Sequence, residues 1–377
     1  MEVILFCIEK RLKREDFIMN DQKKSKKIAV FFGGCSTEYE VSLQSAYAVI
    51  KCIDTQKYIP ILIGITPYSG KWYWFHGELE RIKENTWQSE ENCIPVFPSF
   101  DRTLHGLCYF DNHHLQTISF DGALPILHGK NGEDGTIQGV LELMNVPVIG
   151  CGLLSSALCM DKELAHQIVQ RNGIGVAKSF SIKKNYSEET VKKEACKLGY
   201  PLFVKPVRSG SSFGISKVLR ENDLILAIEN AFYHDSTVIL EEMVDGFEVG
   251  CAILENIDSD FIIGEVDEIA LSDGFFDFTE KYSLKTSNIY VPARISPKKA
   301  KEIKETAIKI YKILKCRCFA RIDMFLTFTG EIYFNEVNTI PGFTEHSRYP
   351  NMLKGAGFSF EEIINRLIEM GVKSDAD

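Results

Sequence analysis

The sequence has no excess of basic charge: 43 Lys and Arg face 52 Asp and Glu, a net charge of -9. It therefore presents no field suited to a phosphate backbone, and nucleic acid is not expected as a partner. Long apolar runs are missing near its start. The longest there, Val3 to Ile8, is far below the roughly 20 residues of a membrane span and short even for the apolar stretch of a secretory signal. No membrane partner and a cytoplasmic location are expected. The eleven cysteines are an odd number and only Cys316 and Cys318 stand close together, so neither a disulfide framework nor a zinc-type spacing is present, and reduced thiols in cores are expected. Two nucleotide fingerprints are also absent. GxxxxGK[ST] occurs nowhere, which disfavours P-loop chemistry, and Gly33-Gly34-Cys35-Ser36 is not completed to GxGxxG because no glycine follows before Gly64.

What remains is ordinary globular usage, with 45% hydrophobic and 25% charged residues, 27 Gly and 12 Pro. At about 150 residues per domain, 377 residues predict two or three domains. Residues 1–26 are basic and lack sustained periodicity, which predicts a loosely ordered extension, with Met19 as an alternative start. Residues 27–150 read as a parallel α/β unit. Strands are expected near 27–32, 59–65, 122–127 and 147–150, helices near 42–52 and 136–144, and Thr37-x-x-Glu40 suits a capping box. Residues 151–245 begin a second sheet, with helices at 162–172 and 223–233 and strands at 179–182, 201–207 and 239–242. Residues 246–377 continue with strands at 248–254, 261–269, 319–328 and 330–337, a long helix at 297–314 and a closing one at 360–370.

The strongest chemical signal is a predicted hairpin, Arg321-Ile322-Asp323-Met324 against Asn335-Glu336-Val337-Asn338. If Thr329-Gly330 is a two-residue loop, Asp323 faces Glu336 and Arg321 faces Asn338, all four on one face of the ladder. Two carboxylates directly across a ladder repel unless a cation lies between them. Oxygen donors with no His or Cys nearby suit Mg²⁺; a solvated polar face is the alternative. Lys205 ends a strand and is followed by Arg208-Ser209-Gly210-Ser211-Ser212-Phe213-Gly214, a loop whose N–H and hydroxyl groups can wrap phosphates, or else an ordinary loop. Glu38 stands at a helix start, where a carboxylate either holds an ammonium group or answers the helix dipole. His128 to Gly135 follows a strand at the carboxyl edge of the first sheet, where α/β proteins place ligands.

Eight ordered motifs then carry a resemblance from about Lys27 to the end: GGCSTEYEVSL, LHGKNGEDGTIQG, SALCMDK, FVKPVRSGSSFGISKV, EEMVDGFEVG, FFDFTEKY, RIDMF and NEVNTIPGFTEHSRYP. The chain resembles the D-alanine:D-alanine ligases of the ATP-grasp superfamily. The resemblance implies an α/β fold with an N-terminal parallel α/β domain, a small central α+β subdomain and a C-terminal α+β domain. It further implies ATP as substrate, two Mg²⁺ ions (or Mn²⁺) as cofactor, and a homodimer. Position by position, Lys162 and Lys205 would grip ATP phosphates, Ser211 and Ser212 would lie in the phosphate-covering loop, Glu241 would meet the adenine and Glu248 the ribose. Phe275 and Lys281 would complete the ATP site. Asp323, Glu336 and Asn338 would ligate the metal, and Arg321 with the Gly342 N–H would stabilise an oxyanion. Glu38 would take the first D-alanine's ammonium, with His128 and Glu133 nearby and Ser211 and Tyr282 linking to it. The segment 271–292 would be a lid, or else a long surface loop.

One departure bears on the product. After His346-Ser347 stands Arg348, where ordinary members of the family commonly carry Leu. This resembles the D-alanine:D-serine ligases of glycopeptide resistance, of the VanG type, and places Ser347 and Arg348 at the second substrate. Arg348 supplies a polar site there, directly or through water, or forms an exposed salt bridge. A polar site can disfavour a substrate lacking the hydroxyl by roughly 10⁴. Tyr282 argues against a D-lactate ligase, whose relatives place His there. The expected activity is therefore D-alanine to D-serine ligation, with D-alanyl-D-alanine as the other product. From a different class, the chain could be a nucleotide-binding module without turnover.

Overall fold

In the computed structural model, residues 25–210, 213–256, 260–271 and 287–373 are described. The expectations for the extension, for Ser211, Ser212, Phe275, Lys281 and Tyr282, and for most of the lid lie outside the described residues.

The first sheet is built around β1 (Lys26–Gly33), whose residues Ile28 to Phe32 are fully buried, as an unbroken apolar run requires in a strand covered on both faces. β1 is followed by α1 (Tyr39–Lys51) and pairs in parallel with β2 (Tyr58–Ile65) on one side and β7 (Gly122–Pro125) on the other. Between these two lies what the sequence reading missed. β3 (Trp72–Phe75), β4 (Cys93–Pro98), β5 (Gly106–Asp111) and β6 (His114–Ser119) extend the sheet as an antiparallel meander, in the order β6-β5-β4-β3-β2-β1-β7. The sheet is mixed, and the strand expected at 147–150 contributes a single bridge, Ala123 to Val148. The capping box is not made either. Glu38 is the cap residue of α1 but its side chain does not cap the helix, and Ser36 Oγ instead accepts the Glu38 N–H (3.1 Å) while donating to the His128 carbonyl (2.7 Å).

After α2 (Thr136–Leu143), α3 (Leu153–Met160) and α4 (Lys162–Arg171), the chain forms a four-stranded antiparallel sheet. Its order is β11 (Ser216–Val218), β10 (Leu202–Pro206), β12 (Thr237–Glu242), β9 (Ser179–Lys183), packed on α5 (Glu188–Leu198) and α6 (Leu224–Phe232) through Val191, Ala195, Leu224 and Ile228. Because Lys205 pairs with Ile239 and Phe203 with Glu241, Lys205 and Glu241 share one face of the ladder.

The third sheet runs β16 (Ser287–Tyr290), β15 (Asp267–Leu271), β13 (Gly246–Glu255), β17 (Phe319–Thr327), β18 (Ile332–Asn338), β8 (Gly175–Val176), with β14 (Phe261–Ile263) on β13. The single strand expected over 261–269 is thus two. α7 (Pro297–Ile313) buries Ile303, Ala307, Ile310 and Tyr311 against this sheet. The chain then returns to its beginning: α8 (Arg348–Gly355) and α9 (Phe360–Lys373) place Tyr349, Met352, Ile363, Ile364, Leu367 and Ile368 in one core with Ile28, Val30 and Leu124. The loop between β18 and α8 is thereby pressed against the carboxyl ends of β1 and β7, where Glu38 and His128 stand.

Candidate active site

The hairpin brings together the predicted set by a route the sequence reading did not foresee. The loop has three residues, 328–330: Leu326 pairs with Ile332, the Thr327 N–H donates to the Glu331 carbonyl, and Gly330 takes φ +90°. That register alone would turn Glu336 to the opposite face from Asp323. A bulge at Asn335 restores it, since Met324 pairs with Phe334 but Asp323 with Glu336 and Arg321 with Asn338. Phe334 and Val337, three residues apart, accordingly both enter the core.

The charges on this face are met in part by the protein's own cations, so a divalent ion is not the only answer to the repulsion. Arg321 Nε donates to Asp323 Oδ1 (2.8 Å) and its NH2 to Oδ2 (2.7 Å), while Asn338 Nδ2 donates to Oδ2 (2.9 Å). Burial works against the Arg321 charge, yet the adjacent Asp323 raises its pKa. Lys162 Nζ lies 3.6 Å from Glu336 Oε2 and donates to the Ser209 carbonyl (2.8 Å). Glu133, Lys162, Ser209, Gly210, Glu336 and Asn338 line one cavity of about 30 Å³. A far wider cleft, about 1420 Å³ and lined by residues such as Arg102, Asp121, Glu142 and Arg317, contains none of the predicted site residues. Among the described residues no three His, Cys, Asp or Glu side chains are arranged to hold a metal, so a cation here would have to rest on two carboxylates and the Asn338 amide oxygen. That oxygen-only set fits a hard ion, because a carboxylate has about four lone-pair sites and Arg321 and Asn338 do not fill those of Asp323.

Glu38 is buried beside the same cavity, and a Cβ on Gly129 or Gly210 would collide with its Oε2. The two glycines thus let one carboxylate touch both the 128–135 loop and the loop after β10. His128 and Glu133 serve this corner differently from the expectation. His128 Nδ1 donates to the Ile340 carbonyl (2.9 Å), which leaves Nε2 to accept from Ser45 Oγ (3.0 Å), so neither nitrogen is offered to a substrate; burial lowers its pKa. Glu133 accepts from the Gly129 N–H (2.8 Å) and the Ile340 N–H (3.1 Å). Both residues clamp the loop that follows β18. Burial, with Glu38 nearby, pushes the Glu133 pKa up from 4.5 to about 8. Between those values the folded chain holds a proton that the unfolded chain has lost, so this group's contribution to stability falls as pH rises. Glu133→Gln is expected to gain on the wild type by up to about 1.4 kcal/mol per pH unit between pH 5 and 8, as read from urea midpoints; a constant difference would refute it.

At the other end, Lys205 Nζ donates to Glu241 Oε2 (2.5 Å). Burial resists the Glu241 charge, but Lys205 and then His166 hold its pKa below the usual value.

Residues 27–151 match the family described as D-ala D-ala ligase N-terminus, and residues 168–369 that described as D-ala D-ala ligase C-terminus. The chain belongs to the D-alanine–D-alanine ligase family. These are ATP-dependent ligases, and the fold is theirs. The crystal structure of VanG D-Ala:D-Ser ligase from Enterococcus faecalis is 55% identical, with a TM-score of 0.84 over 92% of this chain and 99% of that one. The D-alanine--D-alanine ligase of Caldicellulosiruptor bescii is 40% identical over 93% of this chain and 96% of its own. The vancomycin/teicoplanin A-type resistance protein VanA of Enterococcus faecium is 43% identical over 92% and 98% respectively.

Within this ligase fold, Arg348 is neither an exposed salt bridge nor a free polar group. Its Nε and NH2 donate to Asp267 (2.7 and 2.8 Å) and its NH1 to Glu248 (2.6 Å), with NH2 3.6 Å from Asp323 Oδ1. Burial opposes its charge, and Asp267, Asp323 and Glu248 together raise its pKa well above the usual value. Glu248, expected at the ribose, is Arg348's partner in this arrangement. Ser347 turns its hydroxyl to Thr344 (2.8 Å to Oγ1), and Gly342 leaves room for it, since a Cβ there would crowd Ser347 Oγ. Asp267, fully buried, is the residue the sequence reading missed. Little in the sequence marks it, because Asp267 opens β15 next to Glu268 and one residue after Val266, in a stretch of mixed polarity.

Proposed function

We propose that this chain joins D-alanine to D-serine at the expense of ATP through a D-alanyl phosphate, supplying an altered terminus for peptidoglycan precursors and so vancomycin resistance. The observation that carries the reading is the bulged hairpin, which turns Asp323, Glu336, Asn338 and Arg321 to one face beside Lys162 and Glu38. A free carboxylate is inert to amines, whereas an acyl phosphate is not; Lys162 and Lys205 would bind the phosphates, and Glu38 would hold the first D-alanine by its ammonium. Mg²⁺ held by Asp323, Glu336 and Asn338 would offset charge gathering on the phosphoryl oxygens. Arg321 and the Gly342 N–H would meet the oxyanion formed when the second amine attacks, where losing one donor typically costs roughly 10² to 10³ in rate. Burial of the site excludes water that would hydrolyse the intermediate.

The choice of D-serine rests on the charged cluster around Arg348, in the place of an apolar side chain, and on the likeness to VanG. The reading includes a cytoplasmic homodimer, for which light scattering should give twice the chain mass. Mass spectrometry of products from purified protein with ATP, Mg²⁺ and equal D-alanine and D-serine is expected to yield D-alanyl-D-serine in excess. Dominance of the homodipeptide would favour the ordinary ligase, and ADP binding without turnover a module that has lost catalysis.

A further inference from the structure

His166 lies on α4, buried, with its ring edge-on to Phe334 at 5.4 Å. Its Nε2 is 2.7 Å from the carbonyl of Asn335. A carbonyl only accepts, so Nε2 carries the proton. Asn335 is the residue inserted by the bulge, and the bulge is what turns Glu336 to the face of Asp323. On its other side the ring presents Nδ1 to Glu241 Oε1 at 3.9 Å, and neither atom has another partner. One imidazole therefore touches both the hairpin proposed to hold the metal and the carboxylate that holds Lys205.

We propose that His166 is a positioning residue that fixes the Asn335 bulge, and through it the placement of Glu336 opposite Asp323. A bulged residue is left out of the ladder and its carbonyl needs another donor. Here that donor comes from a helix whose first residue is Lys162, so the phosphate-end lysine and the metal hairpin are set by one rigid element. The inference rests on the proposed function for its metal, but not for its geometry.

The test uses His166→Phe, which keeps a ring against Phe334 but has no donor, and His166→Gln, whose amide nitrogen can replace Nε2. In nucleotide-free protein, hydrogen exchange across residues 332–338 is expected to quicken roughly tenfold in His166→Phe, the loss of about one hydrogen bond, and to return toward wild type in His166→Gln. This result does not depend on the enzyme assignment. Calorimetric titration with ADP is expected to weaken by a similar factor with Mg²⁺ present and much less in EDTA, and the KM for D-alanine is expected to hold. Unchanged exchange in His166→Phe, equal weakening with and without Mg²⁺, or no recovery in His166→Gln would overturn the proposal. A wild-type protein that fails to ligate would overturn the functional reading while leaving the exchange result to decide the role of His166.

Discussion

Replacing Arg348 by Leu is expected to lower stability by about 3–5 kcal/mol, the loss that follows when one partner of a buried ion pair is removed and the other charge stays behind. The magnitude is argued from the row of residues beneath the guanidinium. β13 lies between β15 and β17, and Gly250 pairs with Asp267 on one side and Asp323 on the other. A Cβ at Gly250 would lie 2.5 Å from Arg348 NH2 and 2.6 Å from Asp267 Oδ1, so the absent side chain makes the space in which Arg348 bridges the two strands. Asp267 is 0% exposed and cannot be hydrated when the arginine goes. Urea unfolding at pH 7 measures the loss. Adding Asp267→Leu to Arg348→Leu is expected to recover most of it, because the penalty belongs to the stranded carboxylate rather than to the missing pair. If the double variant is no more stable than the single one, the cluster is not held by charge. In whatever fraction of Arg348→Leu stays folded at low temperature, the product ratio is expected to move toward D-alanyl-D-alanine.

The sequence carried the site's chemistry further than its geometry. Pairing of Asp323 with Glu336 was legible, but from a two-residue loop; the three-residue loop and the bulge at Asn335 change the register by one residue each and cancel. Nothing local announces a bulge, since Asn335 is fixed from outside, by a histidine 169 positions away in sequence. The β3–β6 meander escaped for another reason. Its strands are only four to six residues long and half exposed, and the β5–β6 turn, with φ of 46° at Asn112 and 67° at His113, is the positive-φ pair that strand twist favours but that these residue types announce weakly. Period-two patterns that short do not rise above their turns. The role of Arg348 was hidden because a buried arginine is defined by its partners, and Asp267 and Glu248 lie 81 and 100 residues away.

Glu336→Gln is the cleaner probe of the hairpin proposed to hold Mg²⁺. Asp323 is 1% exposed and holds Arg321 and Asn338 by hydrogen bonds, with Arg348 3.6 Å away, so removing its charge would strand the buried Arg321 guanidinium and confuse folding with catalysis. Glu336 has a side chain 24% exposed, facing the cavity, and Lys162, 3.6 Å away, is also anchored on the Ser209 carbonyl. Its amide analogue keeps shape and an oxygen but gives up the charge, and it should cost little stability at a partly exposed site. If Mg²⁺ sits between Glu336 and Asp323 in the working enzyme, losing one anionic ligand removes a few kcal/mol of transition-state charge compensation, or roughly 10² to 10³ in kcat/KM. The half-saturating Mg²⁺ concentration is expected to rise with it, while the urea midpoint stays near that of the wild type. A variant with normal turnover at low Mg²⁺ would remove Glu336 from the metal site, and with it the reason the bulge exists. The two measurements also separate the carboxylates: rate without stability for Glu336, both together for Asp323, as their unequal burial requires.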